Sequence, residues 1–198
     1  MSAPPLNLQG VRFAYDAAPV LSGIDLALPA GSLTVLMGPS GCGKSTLLAL
    51  AAGLLTPDAG RVARRCHRLA MVFQDPALLP WRTALDNVAF ALIAQGLPRA
   101  DRRARARAAL KAVGLSQGDA GKFPRQLSGG MHQRVALARA LVVEPDLQLC
   151  DEPFSALDAG GRAQLWQALQ SCRDRCSPTV LFVSHDRDEA MAHADRLA

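Results

Sequence analysis

The chain has 198 residues, 49% of them hydrophobic and 20% charged, a balance that excludes a disordered segment and fits one compact domain with a sizeable core. Basic residues outnumber acidic ones by 22 to 17, and 19 of the 22 are arginine; that surplus suits phosphates, an acidic membrane surface or nucleic acid without choosing among them. The five cysteines lack the paired spacing of a zinc site or a disulfide framework, so a reducing compartment is expected, with Cys172 and Cys176 as two small buried side chains one helical turn apart.

From the N-terminus, MSAPPLNLQG carries no charged segment ahead of an apolar core, so no signal peptide is expected and the chain should stay in the cytoplasm. Alternation over Leu6 to Phe13 and Ile24 to Leu28, with a turn at Pro29-Ala30-Gly31, predicts an antiparallel opening. Apolar runs at Leu33 to Met37, Leu147 to Cys150 and Thr179 to Val183 are each followed by a helical stretch, the pattern of a parallel sheet covered by helices. Helices over Asp86 to Ala94 and Arg99 to Val113 lie in a mostly helical stretch from about Thr83 to Lys122. A helical subdomain at about 83–142 is therefore expected inside a single domain spanning 1–198. The fold class is α/β, with a mainly parallel sheet, an antiparallel N-terminal part and a helical insert. No apolar run approaches the roughly 20 residues that cross a bilayer, since LLALAAGLL is about half that. The arginines at 99, 102, 103, 105 and 107 spread around a helix axis without interleaved aromatics, and read as a solvated polar face rather than a nucleic-acid surface.

Chemistry concentrates in two short stretches. Gly38-Pro39-Ser40-Gly41-Cys42-Gly43-Lys44-Ser45, with Thr46 next, satisfies the phosphate-loop pattern between a strand and a helix. Its glycines let backbone N–H groups wrap phosphates, Lys44 reaches the β- and γ-phosphates, and the Ser45 hydroxyl is suited to Mg²⁺. The strand Leu147-Gln148-Leu149-Cys150 ends in Asp151 and Glu152. Two acids after a strand often cap a helix. With a phosphate loop upstream they are expected to hold Mg²⁺ (Asp151) and to orient and deprotonate the attacking water (Glu152).

Leu127-Ser128-Gly129-Gly130-Met131, followed by His132-Gln133-Arg134, resembles the signature motif of the ATP-binding cassette (ABC) ATPases. The resemblance, which runs from Tyr15 nearly to the end of the chain, implies a P-loop nucleoside triphosphatase core that binds ATP and Mg²⁺. It implies a head-to-tail homodimer or paired cassette, each ATP lying between one chain's phosphate loop and the other's signature. It further implies that Tyr15 stacks on adenine, Gln74 contacts Mg²⁺, Ser155-Ala156-Leu157-Asp158 forms a dimer-interface loop, and His185 contacts the γ-phosphate beside Glu152. Leu78-Leu79-Pro80-Trp81 is similar to the segment with which cassettes of nitrate, sulfonate, taurine and thiamine-precursor importers meet a permease, so Leu79, Pro80 and Trp81 are docking candidates.

The implied protein is an ATPase that powers import of a small anion or organic solute. Its partners would be a transmembrane permease and an extracytoplasmic solute-binding protein, with no nucleic acid. It would sit in the cytoplasm on the inner face of the cell membrane, held through the permease. The alternatives are a soluble cassette ATPase of nucleic-acid repair or translation, or a truncated inactive cassette. Three departures from the family pattern stand out. The stretch before Gln74 is short for the hairpin many relatives carry, Gln148 interrupts a strand expected to be apolar on both faces, and the chain ends at Ala198 before the usual closing elements. Gln148 is expected to find amide partners.

Overall fold

The computed structural model describes residues 3–16 and 18–198. The chain divides into two compact units, one of residues 1–71, 146–152 and 177–198, the other of 72–145 and 153–176.

In the first unit, strands β1 (Leu6–Tyr15) and β2 (Ala18–Leu28) form the antiparallel opening. β2 begins earlier than its alternation suggested because pairing with β1 carries through to Ala18 opposite Tyr15. Leu6, Leu8, Val11 and Phe13 turn one face of β1 into the core. After β3 (Leu33–Leu36) and helix α1 (Lys44–Ala52), strand β4 (Ala59–Arg64) adds to the far edge of β1. Strand β5 (Leu69–Val72) joins a different sheet, so β4 and β5 do not form a hairpin with each other. Gly60 needs to be glycine: its φ is +85°, and a Cβ there would lie 2.4 Å from the Gly10 carbonyl oxygen in the irregular part of β1.

The second sheet has the order β5-β6-β7-β3-β8, with β6 (Leu147–Asp151), β7 (Thr179–Val183) and β8 (Arg196–Leu197). β6 pairs with β7, β7 with β3 and β3 with β8, all in parallel. Every residue of β6 and β7 is buried, as strands covered on both faces require. Helix α6 (Arg187–His193) follows β7. The guanidinium of Arg64 donates to the carbonyls of Leu50 (3.3 Å) and Ala51 (3.2 Å), satisfying the end of α1 where Gly53 turns left-handed at φ +81°.

The second unit carries helices α2 (Ala84–Phe90), α3 (Arg99–Ala112), α4 (Gly129–Leu141) and α5 (Ala159–Cys176). α2 starts earlier than the sequence pattern because Thr83 caps it, accepting from the Asp86 amide at 3.2 Å. Its expected C-terminal part is instead a separate one-turn helix, Ile93–Gln95. Arg134 ties the helices together, donating to the Val113 carbonyl at 2.6 Å and to Gln164 Oε1 at 2.5 Å. Cys172 is buried in α5, and burial pushes its thiol up to about 12. The arginine-rich helix α3 is not a uniformly solvated face. Arg105 and Arg107 are exposed, but Arg102 and Arg103 are half-buried, and Arg103 pairs with Asp86 of α2. Helix packing, which the local spacing of arginines does not reveal, is the reason. Among the described residues, no helix is long and apolar enough to cross a membrane.

Gln148 meets its expectation on one side only. It is fully buried in β6, its Nε2 donates to Cys150 Sγ at 3.4 Å, and its Oε1 has no partner. Removing the orphaned carbonyl should stabilise the fold, so Gln148→Leu is expected to gain about 1 kcal/mol. The check is the urea midpoint at unchanged slope, and a lower midpoint would show that the amide contributes more than it costs.

Candidate functional site

The loop from Gly38 to Gly43 leaves the C-terminal end of β3 and enters α1 at Lys44. Gly41 and Gly43 have φ of +79° and +97°, and a Cβ on Gly43 would come within 2.9 Å of Val20 and Leu21 side chains, so the turn needs residues without one. Lys44 is 9% exposed, and its Nζ donates to the carbonyls of Gly38 (2.8 Å) and Pro39 (2.7 Å). A buried ammonium that folds back on its own loop is positioned to exchange those carbonyls for phosphate oxygens. Thr46 is buried behind it, while Ser40, Gly41 and Cys42 are exposed.

At the same sheet edge, β6 ends in Asp151 and Glu152. Asp151 is 6% exposed and hydrogen-bonded by Ser45. Burial pushes its carboxyl up, the neighbouring Glu152 adds to this, and Ser45 and Lys44 oppose it. A raised carboxylic acid costs the fold stability as it ionises, a penalty that grows as pH rises above the usual 3.8. A hard cation would relieve it, and the oxygen donors of Ser45 and Asp151 fit Mg²⁺.

Glu152 sits in the left-handed region at φ +43°, its amide donating to the Val183 carbonyl at 3.2 Å. This turns its side chain out of the strand direction, with Oε2 3.5 Å from His185 Nδ1. His185 is exposed in the turn after β7. The turn is held by the Asp186 amide donating to Ser184 Oγ (3.0 Å), by Ser184 Oγ donating to Glu189 Oε2 (3.0 Å), and by Asp186 capping α6. A carboxylate beside an imidazole, next to a phosphate-sized cradle, is chemically equipped to hold and polarise water. Tyr15, at the end of β1, is 52% exposed with its edge against Phe13, ring centroids 4.9 Å apart, leaving ring surface free for stacking.

In the second unit, Ser128 caps α4, its Oγ accepting from the Met131 amide at 3.3 Å. Ser128, Gly129, Gly130 and Met131 line one open cleft of about 500 Å³ together with Ala156, Leu157 and Asp158. A Cβ on Gly130 would lie 2.9 Å from Leu157 Cδ2, so the glycine is what lets the two segments meet; Leu127, before the cap, is buried. Gln133 joins them, a residue whose role was not legible in the sequence. It is 4% exposed, donates from Nε2 to Ser155 Oγ at 2.9 Å, and accepts the Ala156 amide on Oε1 at 3.1 Å. Only its place two residues into the first turn beyond Gly130-Met131 hinted at it.

Gln74 and Pro80 are exposed, Leu78 and Leu79 half-buried, and Trp81 is 71% exposed. Buried Asn87 fixes this loop: its Oδ1 accepts the Leu79 amide at 2.8 Å, and its Nδ2 donates to the carbonyls of Leu79, Arg82 and Thr83 at 3.0–3.2 Å. Arg139 adds bonds to the carbonyls of Pro76 (2.8 Å) and Ala77 (2.9 Å). Neither residue was legible as part of a site, because their partners are backbone groups.

A family model described as ABC transporter matches residues 21–155. An aliphatic sulfonates import ATP-binding protein of Mycobacterium sp. (strain MCS) is 49% identical over 197 residues, covering 100% of this chain and 80% of that protein. A taurine import ATP-binding protein of Chromobacterium violaceum is 45% identical over 204 residues, covering 100% and 78%. Among solved structures, a dimeric ATP-binding cassette in a post-hydrolysis state, bound to ADP and Pi, superposes with a TM-score of 0.89 at 33% identity, covering 95% of this chain and 91% of that one. With a phosphate loop, an acidic strand end and a signature helix in place, and with relatives this similar along its whole length, the chain belongs to the ABC transporter family as one of its ATP-binding cassettes.

Proposed function

We propose that this cassette binds ATP with Mg²⁺, hydrolyses it between two head-to-tail copies, and powers an importer of a small anion or organic solute of the nitrate, sulfonate or taurine kind. The observation that carries the reading is the gathering of Lys44, the Ser45–Asp151 pair and the Glu152–His185 pair at one edge of a parallel sheet. The named relatives are import proteins, which favours transport over the soluble repair or translation alternative.

In this reading the loop from Gly38 to Ser45, with Thr46 behind it, wraps the phosphates, Lys44 gives up its loop carbonyls for β- and γ-phosphate oxygens, and Tyr15 stacks on the base. Ser45, Asp151 and Gln74 would hold Mg²⁺, which would supply charge neutralisation to the phosphates. Glu152 orients the attacking water and takes its proton, and His185 steadies Glu152 and contacts the γ-phosphate. The segment Leu127 to Met131 faces the ATP of the opposite copy, Ser155 to Asp158 lie in the dimer interface, and Gln133 holds that loop against the signature helix. Leu79, Pro80 and Trp81 dock on a transmembrane permease, which keeps the cassette on the inner face of the membrane. An extracytoplasmic solute-binding protein completes the system.

Glu152→Gln is expected to keep ATP binding while lowering turnover by about 100-fold or more. Phosphate release and equilibrium nucleotide binding measure the two, and wild-type turnover in the variant would refute the base assignment. Gln133→Met, which keeps the side-chain length but removes both hydrogen bonds to the dimer loop, is expected to lower turnover about tenfold with ATP affinity of the single chain unchanged. Equal turnover, with the melting temperature also unchanged, would remove Gln133 from the machinery.

A further inference from the structure

Two thiols that play no part in the proposed hydrolysis lie side by side in the last turn of α5. Cys172 is buried, and Cys176, the final residue of the helix, is half-buried. Their sulfurs are 3.4 Å apart, and the Cys176 thiol donates to the Cys172 carbonyl at 3.1 Å. A spacing of four residues puts both side chains on one helix face. Of the five cysteines, these two alone among the described residues are in sulfur–sulfur contact.

The gap between the sulfurs decides what the pair can take. A disulfide needs sulfurs about 2.05 Å apart and Cβ atoms within about 4.5 Å. Residues four apart on a helix hold their Cβ atoms about 5–6 Å apart, so oxidation would require the last turn to unwind. A single centre bonded to both sulfurs at about 2.3 Å, the length of a thiolate bond to zinc, spans the 3.4 Å gap with an angle of about 95° at that centre. Tetrahedral zinc would need a gap of about 3.8 Å and two further ligands. No group of three or more Cys, His, Asp or Glu is gathered for a metal among the described residues. An angle that far below tetrahedral belongs to a pyramidal trivalent centre, whose lone pair compresses its bonds.

We infer that Cys172 and Cys176 form a dithiol site for trivalent arsenic. The first arsenic–sulfur bond forms at Cys176, which is partly open to solvent at the helix end, and Cys172, one turn back, closes the ring. With an arsenic oxide as ligand, two As–S bonds form, the arsenic–oxygen bond breaks, and the oxygen leaves as water carrying both thiol protons. No electron changes hands, and arsenic stays trivalent. Protonation favours this ligand over a bare cation. Burial first, and then the neighbouring Cys176, push the Cys172 thiol well above its usual range. That slows thiolate chemistry and penalises any cation that has to expel the proton to solvent, whereas the oxide supplies the oxygen that takes it away.

The test treats the full chain with phenylarsine oxide in a large excess of glutathione, a monothiol that strips arsenic from single cysteines but competes poorly with a chelate. The intact mass is expected to show one phenylarsenic group per chain. Trypsin cuts after Arg173 and Arg175, between the two sulfurs, so the bridge should hold the fragment Ala163–Arg173 to the fragment Cys176–Arg187 in the wild-type digest. Cys176→Ala, at the half-buried helix end, is expected to weaken retention at least about a hundredfold, with unchanged circular dichroism as the check on folding, while Cys66→Ser keeps it. No retained arsenic, a bridge between other cysteines, or full retention by Cys176→Ala overturns the inference. So does glutathione disulfide joining the same two fragments, lighter by the lost hydrogens, when arsenic is not retained; the pair would then be a redox device.

Discussion

Because β3, β7 and β6 run parallel and in step, with Leu36 and Asp151 both opposite Val183, their C-terminal ends fall on one edge of the sheet. A parallel sheet must be covered on both faces, so its strand interiors are committed to the core and chemistry is left to the loops at those ends. The phosphate loop follows β3, Asp151 and Glu152 end β6, and His185 follows β7. Lys44 and the Asp151–Glu152 pair, more than a hundred residues apart, thus come to one edge through backbone pairing.

The charges at that edge are held in a state that a nucleotide would resolve. Lys44 bonds to its own loop, and burial holds the Asp151 carboxyl above its usual range. Glu152 adopts a left-handed backbone at φ +43°, a conformation costing about 1 kcal/mol or more that surrounding structure has to support. Here that support is the hydrogen bond to Val183 and the buried strand behind it. Phosphates and a hard cation bound at this edge would relieve the first two tensions, which would link binding energy to order in the site.

Contiguous features were legible in the sequence. The phosphate loop declares itself because its glycines and lysine act within eight consecutive residues, and β3, β6 and β7 because both faces are apolar. The signature was readable as a second glycine-rich helix start. Features that depend on distant partners were not readable. Gln133 meets Ser155 across 22 positions, Asn87 binds loop carbonyls, and Arg103 of α3 finds Asp86 only once helices pack. Strands β4 and β8 were missed because β4 has little apolar surface and β8 is two exposed residues, both defined by pairing rather than by pattern. The unpartnered Gln148 amide shows the reverse case, a polar residue visible in the sequence whose accommodation only the packed core decides.

The central claim is that one chain carries only half of each hydrolytic site. It is tested most directly by measuring ATP hydrolysis per chain across a wide range of chain concentration. A shared site predicts that the rate per chain rises with concentration until pairing saturates. A rate per chain that stays constant down to the most dilute samples would contradict it.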